Sequence, residues 1–411
     1  MNRRTYLTTA TASAALAVAG CTGADDADNE TDDGFGDFDD DAVEESPDLL
    51  GTWDDFADLD AWEATRGSLS ADEDRSVEGS QSAHIEVSES ETSGRIERSL
   101  TSPLDCSEVV PGLAMASSGS GAPAIQLWDA DGNKAEYRQR TDAANPFVRR
   151  NFGLSKMEGD LDPSRIAEIH VVHWVGDEQE SELWVDDLYF TPRAGEGLVS
   201  LQFNGGYEED YTTALPILDA RDLPASTFVA TDRIREGDEA EGDRLTEDQL
   251  AELADAGWTI GSFGARGLRV TDVDDDEEKE ADVVDAVSWL EDNGYEDGTR
   301  FFSFPGDRFD ERSYEIVQDH HDLAFAGTFP AQGHAANPHL CTRVSHPDPQ
   351  EALNLLEWTA AVGGITTMAF NRVDAEDAET LEALADGIRA HVEEGELDVI
   401  TPAELADEYV D

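Results

Sequence analysis

The stretch Val199-Ser200-Leu201-Gln202-Phe203-Asn204-Gly205-Gly206-Tyr207 decides the fold. Apolar residues run from Leu198 to Phe203 and stop at two glycines, after which an acidic, helix-like segment begins. Such a run reads as a buried strand that ends in a tight turn, where backbone without a Cβ approaches a ligand closely. The pattern then repeats to the end of the chain. Strand-like segments fall at 198–203, 225–230, 258–261, 301–304, 323–326, 365–370 and near 399. Helical periodicity fills 211–221, 246–256, 279–293, 311–320, 349–361, 376–394 and 402–409. Thr246-Glu247-Asp248-Gln249 has the form of a capping box, and Gly257 closes the same helix. About seven β/α units in series predict an incomplete parallel (β/α)7 barrel over 197–411, with its site at the C-terminal ends of the strands.

Working outward, residues 47–193 carry short strands punctuated by turns and no long helical period, which predicts an all-β, jelly-roll-like sandwich. Two strand segments, 124–128 and 134–140, flank Asp129-Ala130-Asp131-Gly132-Asn133, the chemistry of a hairpin turn. Ahead of the sandwich, residues 24–46 are rich in Asp, Glu and Gly and read as an extended, self-repelling tether. Residues 1–23 read as a targeting segment, too short in its apolar part to span a bilayer. Arg3-Arg4 before Tyr6-Leu7 resembles a twin-arginine export signal, and Val18-Ala19-Gly20-Cys21 resembles a lipobox. Together they predict an exported protein held on the extracellular face of the membrane by a lipid on Cys21, with no other membrane contact.

The chain has 411 residues and a net charge of −67, from 94 acidic and 27 basic residues, of which only Lys134, Lys156 and Lys279 are lysines. A field this negative excludes nucleic acid as a partner. Acid spread through otherwise globular segments predicts adaptation to multimolar salt, where the Debye length shrinks to about 3 Å. Cys21, Cys106 and Cys341 make no disulfide framework.

The barrel segment resembles the polysaccharide deacetylase family, carbohydrate esterase family 4 (the NodB-homology domain). The resemblance rests on Gln202-Phe203-Asn204-Gly205-Gly206, on Leu223-Pro224-Ala225-Ser226-Thr227-Phe228-Val229, on Ala256-Gly257-Trp258-Thr259-Ile260-Gly261-Ser262, on Phe302-Ser303-Phe304-Pro305-Gly306 and on Ala369-Phe370-Asn371-Arg372-Val373. The sandwich resembles carbohydrate-binding modules through Trp53-Asp54-Asp55-Phe56 and the run 183–190. The first resemblance implies a divalent metal such as zinc, held by one Asp and two His, which activates water to attack an acetamide. It further implies a second Asp as base and a distant His as acid. At those positions this chain has Asn204 for the base, Gly205 for the metal-binding Asp, Phe263 and Gly267 for the two His, and Asn371 for the distant His. None can do the family's chemistry: an amide takes no proton at neutral pH, and Gly and Phe offer a metal no ligand. The expectation is therefore a degenerate deacetylase without a cofactor, acting on a polysaccharide or surface glycan by binding. The alternative is an active divergent deacetylase or other glycan hydrolase using non-standard residues.

Expected around the mouth are Phe203, Tyr207, Arg266, Phe304, Pro305 and Arg372. Expected to meet sugar on the sandwich are Trp128, Tyr137, Arg138, Arg140 and Trp174, with Arg149 and Arg150 adding charge suited to an anionic glycan. Three weaker candidates are a His334/His339/Cys341/His346 ligand loop, a Glu208/Glu209/Asp210 carboxylate set, and Asp186-Asp187 as calcium ligands.

Overall fold

The computed structural model describes residues 49–176, 179–237 and 242–411. The leader with Arg3, Arg4 and Cys21, and the acidic stretch 24–46, lie outside them. No described helix is long and apolar enough to cross a membrane.

Two antiparallel sheets face each other. One runs Ser68–Asp72, Ser82–Val87, Ser181–Pro192, Val109–Ser117, Val148–Arg150, with Gly51–Asp54 also on Ser181–Pro192. The other runs Gly153–Glu158, Lys134–Arg138, Ala122–Asp129, Ile166–Trp174, Ser93–Leu104, Glu63–Arg66. Period-two alternation sends Ile85, Leu113 and Val185 inward from the first, and Ile125, Ile169 and Val171 from the second. The expected hairpin forms: Asp129 Oδ1 takes the N–H groups of Asp131 and Asn133, and Gly132 adopts φ 82°.

Beyond the sandwich, the described strands pair with one another in parallel. The sheet order Leu323–Phe325, Phe301–Ser303, Thr259–Ser262, Ser226–Val229, Gly197–Gly205, Gly364–Phe370, Val344–Ser345 is chain order wrapped into a curl. The short strand Leu397–Val399 lies beside the start of Gly197–Gly205. A parallel bridge between Phe325 and Cys341 brings the two ends of the curl together. This is the partial β/α barrel that the repeating pattern predicted. Val344–Ser345, two residues long, had no periodic signal to reveal it. The helix Glu247–Asp255 carries the expected capping box, Thr246 with Gln249, and Gly257 follows at φ 87°.

The two halves are stitched by buried polar contacts. Asn151 Nδ2 donates to the carbonyls of Asn337 (2.8 Å) and Leu340 (3.1 Å), while Asn337 N–H donates back to Asn151 Oδ1. Trp358 Nε1 donates to Leu154 O, and Arg193 donates to Val362 O. With so many main-chain groups satisfied across it, the boundary behaves as interior.

Burial pushes the imidazoles of His173 and His321 down from 6.5 to about 4. Folding therefore holds them neutral while the unfolded chain takes up protons below its ordinary value. Their contribution is complete above pH 6.5 and is lost as pH falls toward 4, by about 3 kcal/mol per site. Urea unfolding at pH 7 and pH 4.5 checks this: His173→Asn should remove about half of the imidazole-linked loss.

Candidate functional site

Alternation along Gly197–Gly205 sets which side chains face the barrel axis. Val199, Leu201 and Phe203 pack outward under the helices, so Leu198, Ser200, Gln202 and Asn204 point inward. The same phase turns Phe301 and Ser303, Leu323 and Phe325, Cys341 and Arg343 to the axis. The bottom is thus apolar, and the top is a polar knot. Ser303 Oγ donates to Asn204 Oδ1 at 2.7 Å. Arg343, 2% exposed, donates to that Ser303 oxygen, to Phe304 O at 2.7 Å and to Asp307 Oδ1 at 2.6 Å. Ser345 Oγ completes the set on Asp307 Oδ2 at 3.0 Å.

A second guanidinium closes the adjoining turn. Arg244 lies 3.6 Å over the Tyr207 ring and donates to Gly205 O at 2.5 Å. Arg372 stands 5.0 Å from the same ring and pairs with Glu209 and Asp243. Gly205 has φ 99°, and a Cβ built on it would stand 2.8 Å from the Arg244 guanidinium. Where the resemblance implies a metal-binding carboxylate, the chain holds a cation against bare backbone. On the far side, Phe263 covers Gly267, whose Cβ would lie 3.4 Å from the ring. The residues at the mouth do not fit a divalent metal, since Gly205, Phe263 and Gly267 stand at the positions assigned to ligands and the nearby Asp307 carboxylate is taken by Arg343 and Ser345.

Several expectations for the mouth need correction. Phe203 stacks on Trp258 and Phe370 in the outer core, because its strand parity turns it away from the axis. Phe304 is fully buried against Phe302 and Phe309, and Pro305 is buried beside it. Arg266 is committed to Asp282 and Glu278. Asn371 is exposed. The His/Cys loop does not converge: Cys341 is in the barrel interior with its thiol pushed up to about 12 by burial, His339 bonds the carbonyl of His321, and His334 packs on Tyr409. Nor is Glu208/Glu209/Asp210 a carboxylate pair. Glu208 is taken by Arg235 and Gln249, Glu209 by Arg372, and Asp210 is buried against Thr227 with its pKa held well above the ordinary value by desolvation. Asp186 accepts three backbone N–H groups and Asp187 pairs with Arg149, so neither carboxylate is open to calcium.

Placing a carboxylate at Gly205 therefore should not create a metal site. In Gly205→Asp the new side chain meets Arg244 and forms an ion pair, and calorimetry with zinc should give the same isotherm as the parent.

The sandwich offers a different surface. Trp128, Arg138 and Trp174 project from one face of one sheet; Tyr137 does not. Alternation turns Tyr137 into the core at 1% exposure, and Arg140 lies past the end of its strand. Arg150 is buried at the junction with the barrel, hydrogen-bonded to Arg140 O. The expected arginine cluster is thus dispersed by strand parity and ion pairing. The residues that sequence reasoning missed lie between the two tryptophans. Trp128 stands opposite Glu168, and Trp174 follows six residues along that strand, about 20 Å away. Between them Trp128 Nε1 donates to Gln126 (3.1 Å), Gln126 to Glu136 (2.6 Å), and Arg138 to Glu136 (2.5 Å). His170 bonds Glu168 at 2.8 Å, and its ring lies 5.2 Å from that of Trp128. Arg138, Lys134 and Arg95 each have a carboxylate partner, so charge on this face is balanced locally. A period-two reading of 122–138 and 166–174 together would have found this stripe.

The polysaccharide deacetylase family model matches residues 191–322, from the last sandwich strand through the helix Glu311–His320. A family 4 carbohydrate esterase from Streptomyces lividans in complex with acetate is similar at 13% identity and TM-score 0.35, over 50% of this chain and 94% of that one. A Bacillus anthracis protein described as a CE4 family pseudoenzyme, BA3943, is similar at 18% identity and TM-score 0.37, over 53% and 68%. The Streptococcus pyogenes deacetylase PplD in complex with acetate is similar at 17% identity and TM-score 0.32, over 35% and 62%, so the match spans less than two thirds of that chain. No curated protein matches the sequence.

Proposed function

We propose that this is a cell-surface polysaccharide-binding protein built on a deacetylase-like barrel whose metal centre has been lost. It is exported by the twin-arginine route, anchored through Cys21 and adapted to multimolar salt. The observation that carries the reading is the pair of guanidinium groups at the mouth, Arg244 against Gly205 and Arg343 beneath Asn204, in place of a ligand set. Sugar is held on the sandwich, along the stripe from Trp128 to Trp174. Two indole platforms with the partly exposed Arg138 guanidinium between them, held from beneath by the buried Gln126–Glu136 pair, suit the alternating apolar faces and hydroxyls of a glycan. Because the charges on that stripe are already paired, a neutral, hydroxyl-rich chain fits it better than the anionic one suggested by counting arginines. About 20 Å between the indoles makes the ligand an oligosaccharide segment rather than one sugar.

The test is acetate release from a panel of acetylated polysaccharides in multimolar salt, with and without zinc or cobalt, beside a pull-down on the same polysaccharides. Retention without acetate release is the expected result. Metal-dependent release that a chelator abolishes would favour the alternative, a divergent hydrolase with an unrecognised ligand set.

A further inference from the structure

The sandwich sheet that does not carry the Trp128–Trp174 stripe has its own group of ligating side chains. His84 and Glu86 are two apart on Ser82–Val87 and share its outer face, and Glu182 on the neighbouring strand stands in register with Glu86. One ligand atom from each lies within 4.8 Å of the other two, and His84 Nε2 is 3.5 Å from Glu182 Oε1. We propose that His84, Glu86 and Glu182 form a binding site for a divalent transition-metal ion such as zinc or cobalt, independent of the barrel.

Three features separate this group from the acid scattered over the rest of the surface. First, the imidazole is held in place. Its ring stacks on Trp184 at 4.7 Å and 6°, Trp184 Nε1 is fixed by Asp72, and Ser70 Oγ meets His84 Nδ1 at 3.4 Å. A partner on Nδ1 leaves Nε2 for a metal, the usual division of labour in a metal-bound histidine. Second, Nε2 is buried and makes no hydrogen bond, although a carboxylate oxygen is close by. Third, Glu86 and Glu182 are like charges directly opposite each other on adjacent strands, an arrangement that costs stability. Among the described residues neither is ion-paired to a Lys or Arg; Glu86 is held at one oxygen by Ser68 at 2.9 Å. A dication between them removes the repulsion and satisfies Nε2 together.

The donor set selects the ion. One imidazole nitrogen and two carboxylate oxygens suit zinc, cobalt or manganese, whereas magnesium and calcium prefer oxygen alone. Ligands about 2.1 Å from a tetrahedral ion are roughly 3.4 Å from one another, close to the His84–Glu182 separation already present. Only a rotation of the more exposed Glu86 is needed. The remaining position faces solvent and takes water or an oxygen of a ligand.

Calorimetric titration of the full chain with zinc, in multimolar potassium chloride with excess magnesium, tests the site. One saturable equivalent is expected, with cobalt giving a visible absorption band of nitrogen–oxygen ligation at the same stoichiometry. His84→Ala and Glu182→Gln should each weaken zinc at least tenfold and abolish the cobalt band, while His334→Ala leaves both unchanged. An unchanged isotherm in His84→Ala, or only weak many-site uptake in the parent protein, would overturn the assignment. Because the substitutions lie on an outer sheet face, retained near-ultraviolet circular dichroism will show that the variants are folded.

Discussion

Arg343→Ala is expected to cost about 3 kcal/mol of folding stability or more, the range for removing one partner of a buried ion pair. The guanidinium is 2% exposed and is shared by Ser303 Oγ, Phe304 O and Asp307 Oδ1. Its removal leaves the Asp307 carboxylate without its cation, with only the Ser345 hydroxyl still bonded to it, takes the charged donor from Phe304 O, and frees Ser303 from the group that orients it toward Asn204. Arg343→Lys should recover only part of the loss, because one ammonium cannot match three acceptors spread around a planar fork. The double variant Arg343→Met/Asp307→Asn should be less damaged than Arg343→Ala alone, since it removes the orphaned charge along with its partner and asparagine tolerates the φ of 56° at that position. Urea unfolding in multimolar salt measures all three. A loss below about 1 kcal/mol for Arg343→Ala would mean that water readily replaces the guanidinium, and would remove the main structural argument against a metal at the mouth.

The second large effect is on ligand binding. Trp128→Ala and Trp174→Ala should each weaken polysaccharide retention about thirtyfold, the equivalent of about 2 kcal/mol for a central aromatic anchor. The double variant should bind no more than background. Tyr137→Phe provides the contrast. Its hydroxyl accepts from Arg193 in the core at 2.9 Å, so losing it should lower stability while leaving retention intact. Affinity electrophoresis in gels containing the polysaccharide reads these differences directly. Equal retention by parent and double variant would move the sugar site elsewhere. The cleft of about 390 Å³ lined by Thr52, Trp53, Asp55, Asp58 and Arg98 would then be the next place to mutate.

Much of this molecule is legible in the chain. Local rules wrote the capping box at Thr246, the Asp-Gly turn at 129–133 and the strand that stops at Gly205-Gly206, because each depends on residues within one turn or one pleat of each other. Residue identity alone also gives the side-chain chemistry at these positions: Asn204 carries an amide, and Gly205 and Gly267 carry no side-chain ligand. The contacts that line the barrel mouth were not legible. Arg244 and Arg343 carry no motif: Arg244 reaches Gly205 because its loop bridges to Tyr207, and Arg343 reaches Ser303 because the curled sheet brings distant segments together. Strand parity was decided in the same way. In the strand 197–205 polar Ser200, Gln202 and Asn204 alternate with apolar Val199, Leu201 and Phe203, but both faces are buried, so the alternation alone does not say that Phe203 faces the helices and Gln202 the axis. The phase is set by which neighbours pair with it and in what register, and it was that register that withdrew Tyr137 from the sugar face and placed Gln126, Glu136 and His170 between the tryptophans. The sequence determined the elements; long-range pairing alone decided which side chains meet.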